Sequence, residues 1–165
     1  MDKDRIEPTD AQAIALLERA QALARRAVHE GHHPFGAILV APDHETVLLE
    51  QGNVDSVNHA EAVLAREAAR RYTPEELWPC TLVTTVEPCA MCAGTLYWAN
   101  IGRVIYGMDE SALLAITGNH AGNPTLDLPC REVFARGQKD VRVVGPVAAM
   151  EDSIAALHRG FWSSR

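Results

Sequence analysis

The stretch VEPCAMCAG, residues 86–94, places two cysteines three positions apart, directly after a proline. The surrounding residues predict that a helix begins here, so that Cys89 and Cys92 lie on the same side of its first turn. A helix N-terminus favours the thiolate, which is the form of cysteine that binds a metal. Taken alone, the pair fits three interpretations about equally: metal ligands, a redox pair or two buried structural cysteines. If the pair binds a metal, the fold has to bring further side chains to this helix start.

Composition limits the kinds of protein in which this pair can act. A chain of 165 residues with 47% hydrophobic and 22% charged residues is expected to form one domain over residues 1–165. The first ten residues, MDKDRIEPTD, lack the apolar stretch of a signal peptide, and no apolar run approaches the length of a membrane span. We therefore expect a cytoplasmic protein with reduced thiols. The net charge of −7 argues against broad binding to phosphate backbones.

Apolar periodicity and composition predict alternating helices and strands. Helices are predicted over residues 9–30, 59–72, 89–99, 110–116, 130–136 and 150–162. Strands are predicted over residues 34–41, 46–52, 81–86, 103–108 and 141–147, with a Gly/Asn/Pro loop at 117–129. One hairpin followed by alternating helices and strands predicts an α/β fold whose sheet is covered by helices on both faces.

A second motif, NHAEAV at residues 58–63, decides between the interpretations of the cysteines. His59 and Glu61 also stand at the start of a predicted helix, where each alone is an ordinary capping or dipole-compensating residue. Together with the later P-C-x-x-C they form a pattern that we recognise from zinc-dependent nucleobase deaminases. Residues two apart on a helix point roughly 200° away from each other. His59 and Glu61 can therefore converge only if the metal lies over the helix end, with two helix starts facing each other.

The residue types suit a catalytic site with one zinc ion per chain. His59, Cys89 and Cys92 would supply three ligands and leave the fourth position to water, from which the metal can generate hydroxide. Glu61 is then the candidate to take a proton from that water and pass it to the substrate. A fourth protein ligand would instead make the site structural. Three side chains are candidates for such a ligand: His44, His120 and Cys130.

From PFGAILV to RVIYGM the chain resembles the cytidine-deaminase-like superfamily, in its branch of nucleobase, nucleoside and tRNA adenosine deaminases. The resemblance implies a three-layer α/β/α fold with a five-stranded mixed sheet, hydrolytic release of ammonia and a homodimer. It also implies that the backbone at Ala60 hydrogen-bonds the base and that the carbonyl of Glu87 receives the leaving amino group. PFGA at 34–37 and LYWA at 96–99 look most like guanine deaminases.

The same resemblance suggests further substrate contacts. Asn53 matches the family asparagine that closes the second strand and touches the substrate, although a plain turn asparagine would look the same. Phe35 stands where the tRNA-editing enzymes usually carry a smaller residue, and Trp98 stands where they lack an aromatic residue. Trp98 could stack on a flat purine, or it could equally belong to the core or to a dimer interface.

The sequence after YGM departs from both groups of relatives. Asp109 and Glu110 are candidates to read an amino or ring N–H group of the base, because an ionised carboxylate only accepts hydrogen bonds. Surface solvation is their ordinary alternative. Phe161 and Trp162 near the C-terminus could close over the base, as aromatic residues do in cytosine deaminases of this superfamily. They could instead pack one helix face onto the sheet.

Three functions are compatible with these observations. The favoured one is deamination of a free base or nucleoside, guanine or a related aminated purine or pyrimidine, without a nucleic-acid or membrane partner. A tRNA adenosine deaminase would need a basic stripe beside the pocket. The one obvious cluster, REAARR at 66–71, contains Glu67 and is typical of a solvated helix face. A non-catalytic zinc-binding interaction module would have no use for Glu61.

Overall fold

In the computed structural model, which describes residues 5–165, seven helices surround one five-stranded sheet. The helices are α1 (Asp10–His29), α2 (Ala60–Arg71), α3 (Pro74–Leu77), α4 (Ala90–Ala99), α5 (Glu110–Thr117), α6 (Cys130–Ala135) and α7 (Ala148–Ser163). The strands are β1 (Gly36–Val40), β2 (Val47–Gly52), β3 (Thr81–Val86), β4 (Arg103–Met108) and β5 (Arg142–Val144). Within residues 5–165, no helix combines the length and the apolar character that a bilayer crossing requires.

The sheet is mixed, with the strand order β2-β1-β3-β4-β5. β1 runs antiparallel to both of its neighbours, pairing Gly36 with Gly52 of β2 and Ala37 with Thr84 of β3. β3, β4 and β5 run parallel to one another, with Thr84 opposite Tyr106. The carboxyl ends of β2, β3 and β4 therefore meet the amino end of β1 at one edge of the sheet.

Helices cover both faces of the sheet, which confirms the expected three-layer α/β/α fold. On one face α2, α3, α4 and α6 pack against side chains such as Leu39 and Leu82. On the other face α1, α5 and α7 pack against side chains such as Ile38 and Val83. Because adjacent residues of one strand point into different cores, β1 and β3 are buried along their whole length.

Helix α1 begins and packs as its sequence predicts. The Thr9 hydroxyl accepts from the backbone of Gln12, and the Gln12 side chain accepts from the backbone of Thr9, which completes the capping box. Further along, a Cβ on Gly36 would overlap the backbone of Ala20 and Ala24. Only glycine permits this close approach. It seats α1 directly on the end of β1 that faces the candidate site.

Two elements differ from the sequence prediction. Helix α3 was not predicted; it is a single turn that begins with a capping box between Thr73 and Glu76. β5 is three residues long instead of seven, because Gly145 has a φ of +152° and Pro146 has no backbone N–H to donate to a neighbouring strand. Neither difference moves the strands that carry the candidate site.

Candidate active site

Four chain segments meet at one edge of the sheet. Phe35 precedes β1, Asn53 follows β2, Glu87 follows β3, and Glu110 is the first residue of the helix that follows β4. All four side chains line a cavity of about 260 Å³. This is the edge where open α/β sheets bind ligands, outside the carboxyl ends of the strands.

His59, Cys89 and Cys92 converge at this cavity. His59 is the N-cap of α2 and Cys89 is the N-cap of α4, both with extended backbone, and the two helices pack against each other. Nδ1 of His59 lies 3.6 Å from Sγ of Cys89 and 3.5 Å from Sγ of Cys92. His59 precedes the helix on which Glu61 lies, so the divergence expected of two positions on one helix does not arise. The two helix starts face each other as the sequence required.

The three donor atoms have the spacing of a tetrahedral zinc site. In such a site zinc lies about 2.0 Å from nitrogen and 2.3 Å from sulfur. At a tetrahedral angle these distances place a nitrogen donor and a sulfur donor about 3.5 Å apart. The observed distances of 3.5 Å and 3.6 Å agree with this value. Within residues 5–165, no fourth histidine, cysteine or acidic side chain joins the group. Three ligands are typical of a catalytic zinc, which keeps one position open.

The three residues considered as a fourth ligand are engaged elsewhere. His44 lies in the β1–β2 turn, where its Nε2 donates to the carbonyl of Ile6 at 2.8 Å. The His120 ring packs on Trp162, and its Nδ1 accepts the backbone N–H of Gly122. Cys130 begins α6 and is fully buried. The site is therefore not closed by any of them.

Without the metal, His59 and Cys89 form a hydrogen-bonded pair: the bond to Cys89 raises the pKa of His59, although zinc binds the neutral imidazole and the thiolate. Nε2 of His59 donates to the carbonyl of Ser56 at 3.0 Å, which orients Nδ1 towards the sulfurs. The pKa of the Cys89 thiol is lowered to about 4, because the Cys92 thiol donates to its sulfur and the His59 ring adds a second hydrogen bond. The donor set therefore suits Zn²⁺, which takes imidazole and thiolate ligands together.

Glu61 lies beside the donor atoms with only 4% of its surface exposed. Its Oε1 accepts the Thr84 hydroxyl at 2.7 Å, which fixes the carboxylate against β3. Its Oε2 lies 3.8 Å from Sγ of Cys92. Burial raises the pKa of Glu61, so this carboxylate holds a proton more readily than an exposed one. These properties suit a group that accepts a proton and gives it up again during one reaction.

Apolar side chains form much of the rest of the cavity wall: Phe35, Val86, Met91, Leu113 and Leu126. A volume near 260 Å³ lies just below the range of about 300–1,000 Å³ that holds drug-sized ligands. Flat apolar walls with a few polar groups suit a small ring compound. The cavity therefore fits one base-sized molecule better than an extended chain.

The segment between α5 and α6 supplies a wall that sequence reasoning did not find. Residues 122–126 of this segment line the cavity, and Nδ2 of Asn123 donates to the Thr125 hydroxyl at 2.8 Å. The Gly, Asn and Pro content of the segment predicted only that it would be a loop. His33, which lies just before β1, is a further lining residue without any sequence signal.

Among the predicted substrate contacts, Phe35, Asn53 and Glu87 line the cavity. Nδ2 of Asn53 donates to the carbonyl of Asp55 at 3.3 Å. The carboxylate of Glu87 accepts two backbone N–H groups, from Glu110 at 3.1 Å and from Cys130 at 2.9 Å. Ala60 is the fully buried first residue of α2, directly after His59. Its amide is one of the helix-start N–H groups that have no partner within the helix.

Trp98 and Asp109 do not line the cavity. The Trp98 side chain is 81% exposed on the outer surface of α4, so it does not stack on a ligand in this cavity. Asp109 accepts the Tyr106 hydroxyl at 2.8 Å, which draws its carboxylate away from the cavity. Its neighbour Glu110 lines the cavity instead. Of the two acidic candidates after β4, only Glu110 lines the cavity.

Phe161 and Trp162 are buried behind the cavity wall and do not line it. Both rings contact His33 edge-on, with centroid distances of 5.6 Å for Phe161 and 4.9 Å for Trp162. Trp162 also contacts the His120 ring at 5.0 Å. The two aromatic residues therefore do not close over the cavity. They support His33 and, through the contact of Trp162 with His120, the loop that forms one wall.

We expect acid to destabilise the protein through His158. Its ring is fully buried, Nδ1 accepts the Trp162 indole N–H at 3.1 Å, and burial lowers the pKa to about 4. An unfolded histidine has a pKa of about 6.5, so between these values the unfolded chain binds a proton that the folded chain does not. Stability is therefore lost as the pH falls from 6.5 towards 4, by about 3 kcal/mol.

The variant His158→Gln tests this expectation, because its side-chain oxygen can still accept from Trp162 but cannot titrate. Between pH 7 and pH 4.5 its melting temperature should fall less than that of the natural chain. Equal falls for the two proteins would contradict a role for His158 in acid sensitivity.

Comparison with known proteins identifies related sequences. Residues 10–108 match the family description "cytidine and deoxycytidylate deaminase zinc-binding region". A probable cytosine deaminase of Schizosaccharomyces pombe is 34% identical over 153 residues, which cover 90% of this chain and 91% of the relative. The guanine deaminase of Bacillus subtilis is 37% identical over 100 residues, covering 58% of this chain and 64% of the relative.

Solved structures share the fold at lower identity. A structure of guanine deaminase from Nitrosomonas europaea matches with a TM-score of 0.69 and 21% identity, covering 96% of this chain and 86% of the neighbour. At this identity the likeness concerns the fold. It agrees with the five-stranded mixed sheet between helical layers described above.

Proposed function

This chain belongs to the family of the cytidine and deoxycytidylate deaminase zinc-binding region, and we propose that within it the chain deaminates a free nucleobase or nucleoside, guanine or a related aminated purine or pyrimidine being favoured. The chain is a zinc-binding deaminase, a hydrolase that acts on C–N bonds. The alternative of a non-catalytic interaction module is therefore dropped. The proposal concerns the substrate and the roles of individual residues.

One observation carries the proposal: three donor atoms at zinc spacing lie together at the wall of a base-sized cavity that two of them, His59 and Cys89, line together with the buried carboxylate of Glu61. In the proposed site His59, Cys89 and Cys92 hold the zinc. When bound, the zinc supplies a Lewis acid that lowers the pKa of water. Glu61 is the proton carrier, because it lies next to the donor set and is held by Thr84 through its other oxygen.

The proton path uses Glu61 twice. Oε2 accepts a proton from the attacking water as the C–O bond forms, and the same oxygen then gives that proton to the amino group, which leaves as ammonia when the C–N bond breaks. The raised pKa of Glu61 supports this double role, since a carboxyl with an ordinary pKa returns a proton less readily near neutral pH. Ala60 and Glu87 are proposed to contact the base and the leaving amino group through their backbone.

The cavity supports a small substrate more than a tRNA. The arginines of REAARR that end α2, Arg70 and Arg71, both pair with Glu67. Because an α-helix rises about 1.5 Å per residue, they lie about 17 Å from His59 at the other end of the helix. A basic stripe beside the cavity is therefore not formed by this cluster. The overall charge of −7 points the same way.

The proposed form of the enzyme is a cytoplasmic homodimer. All four cysteines are free, as expected of thiols in a reducing compartment. The exposed Trp98 lies on α4, the helix that also carries Cys92, and an exposed aromatic side chain is a feature of protein interfaces. Light scattering of the purified chain at micromolar concentration tests the dimer, and a monomer mass would remove it from the proposal.

An ammonia-release screen tests the proposed substrate class. It includes guanine, cytosine, adenine and isocytosine, their nucleosides, the triazine ammeline and a tRNA anticodon stem-loop. We expect turnover of at least one aminated free base and none of the stem-loop. Turnover of the stem-loop alone would replace the proposal by a tRNA adenosine deaminase. If the zinc-loaded protein released ammonia from no compound, the proposed substrate class would be withdrawn.

A further inference from the structure

Two of the side chains that line the cavity carry a buried polar atom without a hydrogen-bond partner: Oδ1 of Asn53 and Oε2 of Glu110. The other buried atoms of this kind within residues 5–165 belong to side chains that do not line the cavity. A buried polar group without a partner costs free energy comparable to a lost hydrogen bond. Two such side chains in the wall of one cavity therefore indicate where a ligand hydrogen-bonds.

Glu110 has no evident structural task. Only 6% of its surface is exposed, and it forms none of the ion pairs found within residues 5–165. The two acidic neighbours are already engaged: Asp109 accepts the Tyr106 hydroxyl, and Glu87 accepts the backbone N–H groups of Glu110 and Cys130. The backbone of Glu110 is thus fixed by Glu87, while its carboxyl group is left for the cavity.

The carboxyl group of Glu110 lies in surroundings that favour its neutral form. Burial raises its pKa to about 9, and the nearby acidic groups Cys89, Glu87 and Glu61 contribute in the same direction. A neutral carboxyl group offers one O–H donor and one carbonyl acceptor side by side. That pair matches a ring N–H next to a carbonyl, which is the edge of a secondary lactam. An ionised carboxyl group would still accept the ring N–H.

We propose that Glu110 is a specificity-determining residue that reads a secondary lactam edge, a ring N–H beside a carbonyl, on the base to be deaminated. The inference rests on the proposed function and narrows its substrate class. Guanine, isocytosine and cytosine carry both a removable amino group and such an edge. Adenine and adenosine carry no ring carbonyl and fall outside the class, as does cytidine, in which the sugar replaces the ring proton beside the carbonyl.

Two substitutions at Glu110 distinguish recognition of the lactam edge from other roles of this residue. Glu110→Gln retains an acceptor and a donor on a side chain of the same shape, so it can still pair with a lactam. Glu110→Met has similar length but no strong donor or acceptor. If Glu110 carried a proton, both variants would lose that role. If Glu110 recognises the lactam edge, only Glu110→Met loses this recognition.

The test measures binding of two matched bases to zinc-loaded protein that carries Glu61→Gln, so that turnover does not interfere. Guanine has the lactam edge, and 2-aminopurine has the same ring and amino group without it. We expect guanine to bind at least tenfold more tightly than 2-aminopurine. Glu110→Met should remove most of that preference by weakening guanine about tenfold, while Glu110→Gln should keep it within about threefold.

Several results would overturn the assignment. An unchanged preference in Glu110→Met would do so, and so would equal binding of both bases before any replacement at Glu110. Circular dichroism and zinc content serve as folding controls for each variant. Turnover of adenine or adenosine but of no lactam base in the ammonia screen would reject the role of Glu110 and leave the deaminase function standing. Absence of any turnover would instead reject the proposed substrate class itself.

Discussion

Glu61→Gln should abolish nearly all ammonia release while the protein keeps its zinc. The amide of glutamine can still accept the Thr84 hydroxyl, so the fold and the position of the side chain are retained. It cannot take up and return a proton. Loss of a positioned acid–base group costs about 10²–10⁴ in rate. The turnover number should therefore fall by at least about a hundredfold, measured with the best substrate of the screen.

A matched control lies on the same helix. Glu67→Gln alters a half-buried residue of α2 whose carboxylate pairs with Arg70 and Arg71, away from the cavity. Its activity and zinc content should equal those of the natural chain. Activity of Glu61→Gln within tenfold of this control would remove Glu61 from the proposed proton path.

Cys92→Ser should lose the metal and, with it, the activity. Cys92 is fully buried, and its sulfur lies 3.5 Å from Nδ1 of His59, so a hydroxyl in its place is a poorer and shorter donor. Loss of an outer partner of a ligand already costs about 10–100-fold in metal affinity. Loss of a direct ligand should exceed that. Zinc per chain after dialysis, measured by plasma emission, should fall from near one to a small fraction.

Cys80→Ser provides the matched control for this variant. Cys80 is also buried, but it lies before β3, where its thiol donates to the carbonyl of Glu76 at 3.2 Å, a bond that serine can also form. It should retain a full complement of zinc. If Cys92→Ser held as much zinc as Cys80→Ser, the ligand assignment would be wrong.

Most helices and strands could be predicted because each has a signal in its own local sequence. The capping box at Thr9 and Gln12 and the apolar stripe that follows it predicted α1 to within one residue at each end. The runs TLVTTV and RVIYGM match β3 and β4 without any shift. Single-turn α3 escaped detection because four residues carry too little periodicity to distinguish a helix from a loop.

The metal donors and Glu61 were predictable because one motif joins residue type, order and position at a helix start. The cavity wall was not predictable in the same way. Whether Asp109 or Glu110 lines the cavity depends on Tyr106, whose hydroxyl donates a hydrogen bond to the carboxylate of Asp109. Trp98 points outwards because of how α4 packs on the sheet, and its residue type alone cannot show that. These contacts are tertiary, so no local pattern encodes them.

Glu87 gives the site a property that matters for how such proteins diversify. Its single carboxylate accepts hydrogen bonds from the first residue of α5 and the first residue of α6. These two residues are the ends of segment 110–130, which contributes one wall of the cavity. A segment that is anchored at both ends can change in length or composition without shifting the strands or the metal donors. Engineering new base selectivity should therefore begin with grafts between these two anchor points, leaving Glu87 in place.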